Sequence, residues 1–448
     1  MKKILLLLSF YCCLTIQISA QTSITVMENI IFYDGYASIV TSPPPPAGVI
    51  QHRNDLFARK LTSSELSSIG TTLQMDVMIG ALCDNYDRIG SVNMALVPVG
   101  SSTYHPDSVQ RIELGRFITP FMNKNIQPDS VPYTFNIDNI SMLLKDTVIT
   151  NSYDIWIELQ VFGVPYAAQT QVAGCSGRND VFKGRVRFVT NTSAPGQNNN
   201  VLMPLFFYQN FNNYQVGATD VLGTTQKTLV FDVPQDLTDV TLYLITSNHG
   251  ANAGGEEYNR RYHYVYFDNV SQLSYKPGRT SCEPFRQYNT QSNGIYGTTP
   301  MSDSQWQSFS NWCPGDVIDI RTINLGAVNA GSHTFFIRVP AAVFAGGQGN
   351  FPMSLYLQGK NNGIASGLSQ SENHSEIFSV YPNPTQGQFT LELDNESAEI
   401  TISDVLGKEL LKRETISKTT NFQIDAAGVY VLQVKTDKGM SSKKIVVN

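Results

Sequence analysis

Six consecutive residues, Cys83-Asp84-Asn85-Tyr86-Asp87-Arg88, bring two carboxylates, a phenol and a guanidinium into one short stretch. A carboxylate flanked by others can have its pKa raised far enough to exchange a proton near neutral pH, which suits such a group to general acid–base work. Two more acidic positions lie far along the chain. Glu158 stands in Trp156-Ile157-Glu158-Leu159-Gln160, and Glu256, Glu257 and Tyr258 end a glycine-rich stretch that begins at Ser247. A carboxylate beside an indole on one strand face can form a sugar platform, because sugar C–H faces stack on aromatic rings and acids accept from hydroxyls. Taken alone, the hexapeptide fits a solvated polar turn better than a site. The Trp156 segment alone likewise fits an exposed sheet face with one charge.

The surrounding pattern sets where these groups stand. In Leu73-Gln74-Met75-Asp76-Val77-Met78-Ile79 the apolar residues take alternate positions, as a half-buried strand requires, and Gly80 breaks the run just before the acidic loop. From Tyr153 to Phe162, the residues Tyr153, Ile155, Ile157, Leu159 and Val161 take one face and Trp156, Glu158 and Gln160 the other. Ser247 to Tyr258 lacks the lysine and following helix of a phosphate loop, so it reads as a loop presenting two glutamates and a tyrosine. Further strands are expected at 91–99, 111–119, 133–137, 228–233, 240–246, 262–269, 317–322, 334–339 and 353–357, with one helical turn at 140–144. Short strands at close intervals with turn residues between them predict an all-β chain. The expected architecture is two antiparallel jelly-roll β-sandwiches packed side by side, followed by a small C-terminal immunoglobulin-like β-sandwich. Its parts are a signal peptide at 1–20, domains at 21–190 and 201–360, linkers at 191–200 and 361–376, and a terminal module at 377–448.

Length and composition agree with this division. A chain of 448 residues exceeds one core, and its 15% charged residues with abundant Gly, Pro, Tyr and Phe suit an exported β protein. The net charge of −6 and the lack of a Lys/Arg block argue against nucleic acid as a partner. Met1-Lys2-Lys3, the apolar run from Ile4 to Ile16 and Ile18-Ser19-Ala20 predict a secretory signal cleaved after Ala20, which removes Cys12 and Cys13. No later apolar run has the length of a membrane span. Four cysteines then remain, Cys83, Cys175, Cys282 and Cys313, which permit three pairings. A Cys282–Cys313 bridge would close a loop of roughly thirty residues, worth about 3–4 kcal/mol.

The terminal module resembles the C-terminal sorting domain of Bacteroidetes type IX secretion. The resemblance rests on Tyr381-Pro382-Asn383-Pro384, Gly387, Asp404-Val405-Leu406-Gly407-Lys408, Gly428-Val429-Tyr430 and Lys444-Ile445-Val446-Val447. It implies contact with the type IX machinery, export through the outer membrane, and a secreted or cell-surface location.

The hexapeptide with Glu113-Leu114-Gly115-Arg116-Phe117-Ile118-Thr119-Pro120-Phe121, and later Asn311-Trp312-Cys313-Pro314-Gly315, resembles the peptide-N-glycosidase F family over roughly 23–360. That resemblance implies paired jelly rolls with the site in the cleft between them, and hydrolysis of the glycan–asparagine amide of N-glycoproteins or glycopeptides without a cofactor or metal. By position, Asp87 matches the family's essential aspartate, Glu257 its second acid and Glu158 its third. Asp87 is then the expected acid or base, Glu257 the group orienting water, and Glu158 the holder of chitobiose hydroxyls. Asp84, Arg88, Trp156, Tyr258 and Trp312 are expected to bind substrate.

The sequence departs from the family pattern at several places. Met78 stands where a cysteine partner for Cys83 is expected, leaving Cys83 free or paired with Cys175. Gly255 and Asn259 replace cysteines around the second acid, Gln160 replaces an indole, and Phe309 an arginine. A second reading keeps the scaffold as a catalytically inactive glycan- or protein-binding surface protein. A copper monooxygenase reading fails on ligands, because His52, His105, His249, His263, His333 and His374 are scattered with no His-x-His pair. A monomer is expected.

Overall fold

The computed structural model describes residues 21–191, 196, 198–251, 255–292, 294–361, 378–393, 397–404, 409–436 and 439–448. The expected signal peptide therefore lies outside the described residues. So do 192–195 and 197 in the first linker, 362–376 in the second, 252–254 in the glycine-rich loop and 405–408 in the terminal module. The chain divides into two compact units, Met1–Ser371 and Glu372–Asn448.

In the first unit, alternating apolar residues build strands β1 (Thr22–Tyr33), β2 (Val49–Arg53), β3 (Leu56–Lys60), β4 (Leu73–Ala81), β5 (Ile89–Pro98), β6 (Gln110–Ile118), β7 (Ser130–Asn136), β8 (Tyr153–Val161) and β9 (Asp180–Thr190). They form two antiparallel sheets, ordered β1-β9-β4-β7 and β6-β5-β8-β3-β2. Phe32, Phe57, Met75, Val77, Met94, Leu96, Ile112, Ile157, Phe182 and Phe188 fill the space between the sheets. The second sandwich repeats the plan with β10 (Asn200–Gln209), β11 (Gln226–Val233), β12 (Leu237–Thr246), β13 (His263–Phe267), β14 (Val270–Tyr275), β16 (Arg321–Val328), β17 (Gly331–Arg338) and β18 (Met353–Asn361), while β15 (Val317–Ile318), between β14 and β16 in the chain, adds to the β6 edge of the first. Its sheets run β10-β18-β12-β16 and β11-β17-β13-β14. Both sandwiches are antiparallel jelly rolls.

One segment departs from expectation in a way that joins the sandwiches. The apolar run at 317–322 reads as a single strand, but the structure divides it. Val317 and Ile318 pair with Phe117 and Arg116 at the edge of the first sandwich, and from Arg321 the chain pairs with β12 of the second. The polar face of β5 and β8 (Ser91 and Asn93, Trp156 and Glu158) is consequently covered by the neighbouring sandwich and by loops rather than by water. Arg116 is the clearest sign of this: fully buried, it donates to both oxygens of Glu113 at 2.8 and 2.7 Å, to Ser247 Oγ at 2.8 Å and to the Pro352 carbonyl at 2.7 Å. A guanidinium can be buried at this depth because all its donors face acceptors and its charge is paired.

The second unit contains β19 (Phe378–Tyr381), β20 (Gln388–Leu393), β21 (Ala398–Asp404), β22 (Glu409–Thr415), β23 (Thr419–Gln423), β24 (Gly428–Thr436) and β25 (Gly439–Val447). Sheets β19-β20-β23 and β22-β21-β24-β25 enclose Val380, Phe389, Leu391, Ile400, Leu432 and Ile445. Within its Tyr-Pro-Asn-Pro motif, Asn383 Oδ1 accepts from the Val446 amide at 2.9 Å, tying the module's beginning to its end.

Candidate active site

The acidic hexapeptide links β4 to β5 and is braced on every side except at Asp87. Cys83 forms a disulfide with Cys175 and donates its amide to the Asp180 carbonyl at 2.9 Å. Asn85 donates to Gln171 Oε1 at 2.7 Å. Arg88 exchanges backbone hydrogen bonds with Thr119, its amide to Oγ1 at 2.7 Å and its carbonyl accepting at 2.8 Å. Asp84 is saturated: it accepts from Arg88 Nε at 2.6 Å and Nη2 at 3.3 Å, and from the Val164 and Tyr86 amides at 2.8 and 3.0 Å. With no spare capacity and 1% exposure, Asp84 serves as the anchor of the loop.

Asp87 is left with a buried Oδ2 that has no partner. Burial raises its pKa, the charge of Glu257 raises it further, and together they bring it to about 7 against the opposing pull of Arg88. An unpartnered buried oxygen is costly when charged and easily protonated, which makes it chemically available.

Glu257 arrives from the second sandwich on the loop after β12. It accepts the Gly250 amide at 2.8 Å and the Tyr258 phenol, while burial raises its pKa. Burial, reinforced by the charges of Glu257 and Asp87, in turn holds the Tyr258 phenol in its neutral form. The adjacent Glu256 is consumed structurally, by Arg261 at 2.7 and 3.2 Å and by the Val343 amide at 2.8 Å.

Gly255 and Asn259 hold the Glu257 loop closed by other means than the expected cysteines. Asn259 Nδ2 donates to the Gly255 carbonyl at 3.3 Å, and a Cβ at Gly255 would stand 1.9 Å from the Gly250 carbonyl oxygen. The loop is tight because these two glycines pack backbone against backbone.

Asn311-Trp312-Cys313-Pro314-Gly315 works as the buckle between the halves. Asn311 Nδ2 reaches the carbonyls of Glu256, Glu257 and Asn259 at 3.1, 2.5 and 3.1 Å. Trp312 is buried with Ile118, Ile245 and Ile318, and its Nε1 donates to the Asn248 carbonyl at 2.7 Å. Cys313 is bonded to Cys282, and Gly315 donates to the Ile118 carbonyl at 2.9 Å, next to the Thr119 that holds Arg88.

Asp87, Glu257, Tyr258, Asp84 and Arg88 thus lie within electrostatic reach of one another, on loops from both sandwiches, and Trp312 packs with Ile118, Ile245 and Ile318. Glu158 and Trp156 share the interdomain face but stand apart from that group. Glu158 pairs in register with Asn93, six residues along the chain from Asp87, up to about 20 Å in extended conformation. Its partners are Arg111 at 2.8 and 3.0 Å, Asn93 at 3.2 Å and the Tyr104 hydroxyl at 2.9 Å. Trp156 is buried beside Tyr104, at 5.4 Å between ring centroids, so it is covered rather than presented as a platform. Among the described residues, no group of three or more His, Cys, Asp or Glu is arranged to hold a metal ion, and no helix is long and apolar enough to cross a membrane.

Two sequence-family models match this part of the chain. Peptide-N-glycosidase F, N terminal, covers residues 23–176, and Peptide-N-glycosidase F, C terminal, covers residues 219–358. The chain belongs to the peptide-N-glycosidase F family. A third model, the secretion system C-terminal sorting domain, matches 379–448, so the protein is exported by type IX secretion to the cell surface or beyond.

Among solved structures, PNGF-II is 21% identical, with a TM-score of 0.54, over 76% of this chain and 66% of that one. The chain therefore spans about two thirds of the length of PNGF-II. A peptide-N(4)-(N-acetyl-β-D-glucosaminyl) asparagine amidase is 15% identical, with a TM-score of 0.51, over 78% of this chain and 98% of that one. Both likenesses are of fold. No curated protein matches.

Within this peptide-N-glycosidase F fold, sequence reasoning missed Asn311, Thr119, Tyr104 and Arg111. Asn311 carried a signal, since it directly precedes the Trp-Cys-Pro-Gly run. The other three act only through partners distant in sequence.

Proposed function

We propose that this protein is a secreted amidase that hydrolyses the bond between an N-linked glycan and its asparagine. The observation that carries the reading is Asp87: a carboxyl with an unpartnered buried oxygen, poised near pH 7, facing a second carboxyl on the opposite sandwich. In its ionised form Asp87 takes a proton from water as the water oxygen bonds to the amide carbon. The tetrahedral adduct then breaks its carbon–nitrogen bond, and the proton returns to the departing glycosylamine nitrogen. A group whose pKa lies near the working pH performs both transfers at little cost. Glu257, oriented by the Gly250 amide, holds the water, and Tyr258 supplies a neutral hydroxyl beside the reacting oxygen.

The test is mass spectrometry of a defined glycopeptide incubated with the full chain. Conversion of the glycosylated asparagine to aspartate is expected. A peptide retaining one N-acetylglucosamine, or one left unaltered, rejects the amidase. Unaltered peptide together with measurable glycan binding supports the inactive binding protein, a reading that draws on Glu158 standing apart from Asp87.

A further inference from the structure

Each sandwich turns one sheet away from the other, because the strand contacts between them run from β10, β12 and β18 to β6. These two outer sheets differ in kind. On β4, β7 and β9 of the first, the outward positions hold Gln74, Asp76, Thr134, Asn136, Arg185 and Arg187, the coat expected of a solvated face. On β13 and β17 of the second, the outward positions hold Tyr264, Tyr266, Phe336 and Arg338, and the exposed Tyr262 extends the row. The alternate residues Val265, Phe267, Phe335 and Ile337 fill the core behind them, so the outward rings are not needed there. Three tyrosines in line on a solvated sheet face mark a contact surface.

Register keeps that surface flat. Tyr264 stands opposite Arg338 and Tyr266 opposite Phe336, while the flanking strands set the short side chains of Ser274, Ser271 and Thr228 beside them. Ring centroids are 6.2 Å apart for Tyr262 and Tyr264 and 5.6 Å apart for Tyr266 and Phe336. Two cations lie along the row. The Arg338 guanidinium sits 5.6 and 5.5 Å from the Tyr264 and Tyr266 centroids and donates to the Tyr266 hydroxyl at 3.0 Å, and the Lys276 ammonium sits 5.7 Å from the Tyr262 centroid. Among the described residues, neither cation pairs with a carboxylate. Asp232 and Asp268 stand at the other end of the sheet, Asp268 held by His333 at 2.7 Å, and Asp220 is held by Thr228 at 3.1 and 2.7 Å.

Pyranose C–H faces stack on exposed rings, and cations spaced along the row attract negative charge at intervals. Two spaced cations on a chain of net charge −6 do not match a nucleic acid, whose dense charge is met by clustered Lys and Arg. A sugar chain with carboxylates on some of its rings matches both features. We propose that Tyr262, Tyr264, Tyr266, Phe336, Arg338 and Lys276 form a binding surface for a linear acidic polysaccharide whose pyranose rings carry carboxylates at intervals. The sugar rings lie on the tyrosines, and the carboxylates meet Lys276 and Arg338. This surface is separate from Asp87 and does not rest on the amidase reading. It gives an exported protein a hold on acidic glycan.

The test titrates a hexasaccharide of alternating glucuronate and N-acetylglucosamine calorimetrically into the full chain. Saturable binding is expected, about tenfold weaker for the same hexasaccharide with its carboxylates reduced to alcohols. Tyr264→Ala is expected to weaken binding about fivefold through the lost stacking, and Arg338→Ala about tenfold through the lost charge. Asp87→Asn is expected to bind as the wild type does. Undetectable binding, equal binding of the reduced sugar, unchanged affinity in either surface variant, or weaker binding by Asp87→Asn overturns the proposal. Tighter binding of a single-stranded oligonucleotide of equal charge overturns it as well. If either surface variant does not fold, Lys276→Ala on the exposed side chain decides: a loss of about threefold is expected, and no loss overturns the proposal.

Discussion

Arg88 donates to both oxygens of Asp84 at 2.6 and 3.3 Å, and by doing so leaves Asp87, its neighbour in sequence, without an ion-pair partner. One guanidinium thereby sorts two aspartates into an anchor and a reactive group. If this division is right, Asp84→Asn acts through the loop. Replacing the buried, paired carboxylate is expected to cost about 3–5 kcal/mol, read as a shifted urea midpoint. Unchanged stability would show that Arg88 is held by something else.

Asp87→Asn removes the proton acceptor while keeping the shape. On glycopeptide, kcat is expected to fall by about 10²–10⁴-fold with the fold intact by circular dichroism. Residual activity within about tenfold of wild type would transfer the role to another group.

The same residue predicts a pH dependence of stability. Its folded pKa, about 7, lies above its ordinary value of 3.8, so between these limits the folded protein binds more protons than the unfolded chain. The contribution is therefore lost as pH rises from about 4 to 7, to an extent on the order of 4 kcal/mol. Asp87→Asn is accordingly expected to be more stable than wild type at pH 8 and equal to it below pH 4, measured by denaturant unfolding across pH. A variant no more stable at pH 8 would mean that Asp87 ionises without penalty.

Activity follows the same ionisation. As the base, Asp87 must be ionised, so kcat/KM is expected to rise with pH through a limb centred near 7. A profile flat from pH 5 to 8 would exclude it as the titrating base.

Asn311→Ala tests the buckle. Three carbonyls of the Glu257 loop lose their shared donor. The expected cost is about 1–3 kcal/mol, with faster hydrogen exchange confined to 248–262 and a lower kcat. Exchange rising over the whole second sandwich would make Asn311 a general core residue instead.

Much of this molecule was legible in residue order. Period-two alternation located β4, β5, β6 and β8, because a strand must turn every second side chain to the core. It also assigned Trp156, Glu158 and Gln160 to the face opposite Ile157. Resemblance located three acids, and two of them, Asp87 and Glu257, come from different sandwiches to within electrostatic reach of each other. Local pattern did not reveal that Val317 and Ile318 join the first sandwich while Arg321 joins the second, since either sheet edge accepts the same apolar run. It left Cys83 either free or paired with Cys175, a choice the fold makes in favour of the disulfide, and it did not predict that Trp156 would be covered by Tyr104.

The deepest gap is between like residues. Asp84 and Asp87 are chemically the same acid, as are Glu256 and Glu257, and apart from the family resemblance no local feature of the chain ranks one above the other. Arg88, Arg261 and the backbone amides of Val164 and Val343 saturated Asp84 and Glu256, while burial near one another left Asp87 with an unpartnered oxygen and Glu257 with no cation, only the Gly250 amide and the Tyr258 phenol. Protonation energy depends on distance to charges and on excluded water, and both are properties of the folded arrangement rather than of residue order.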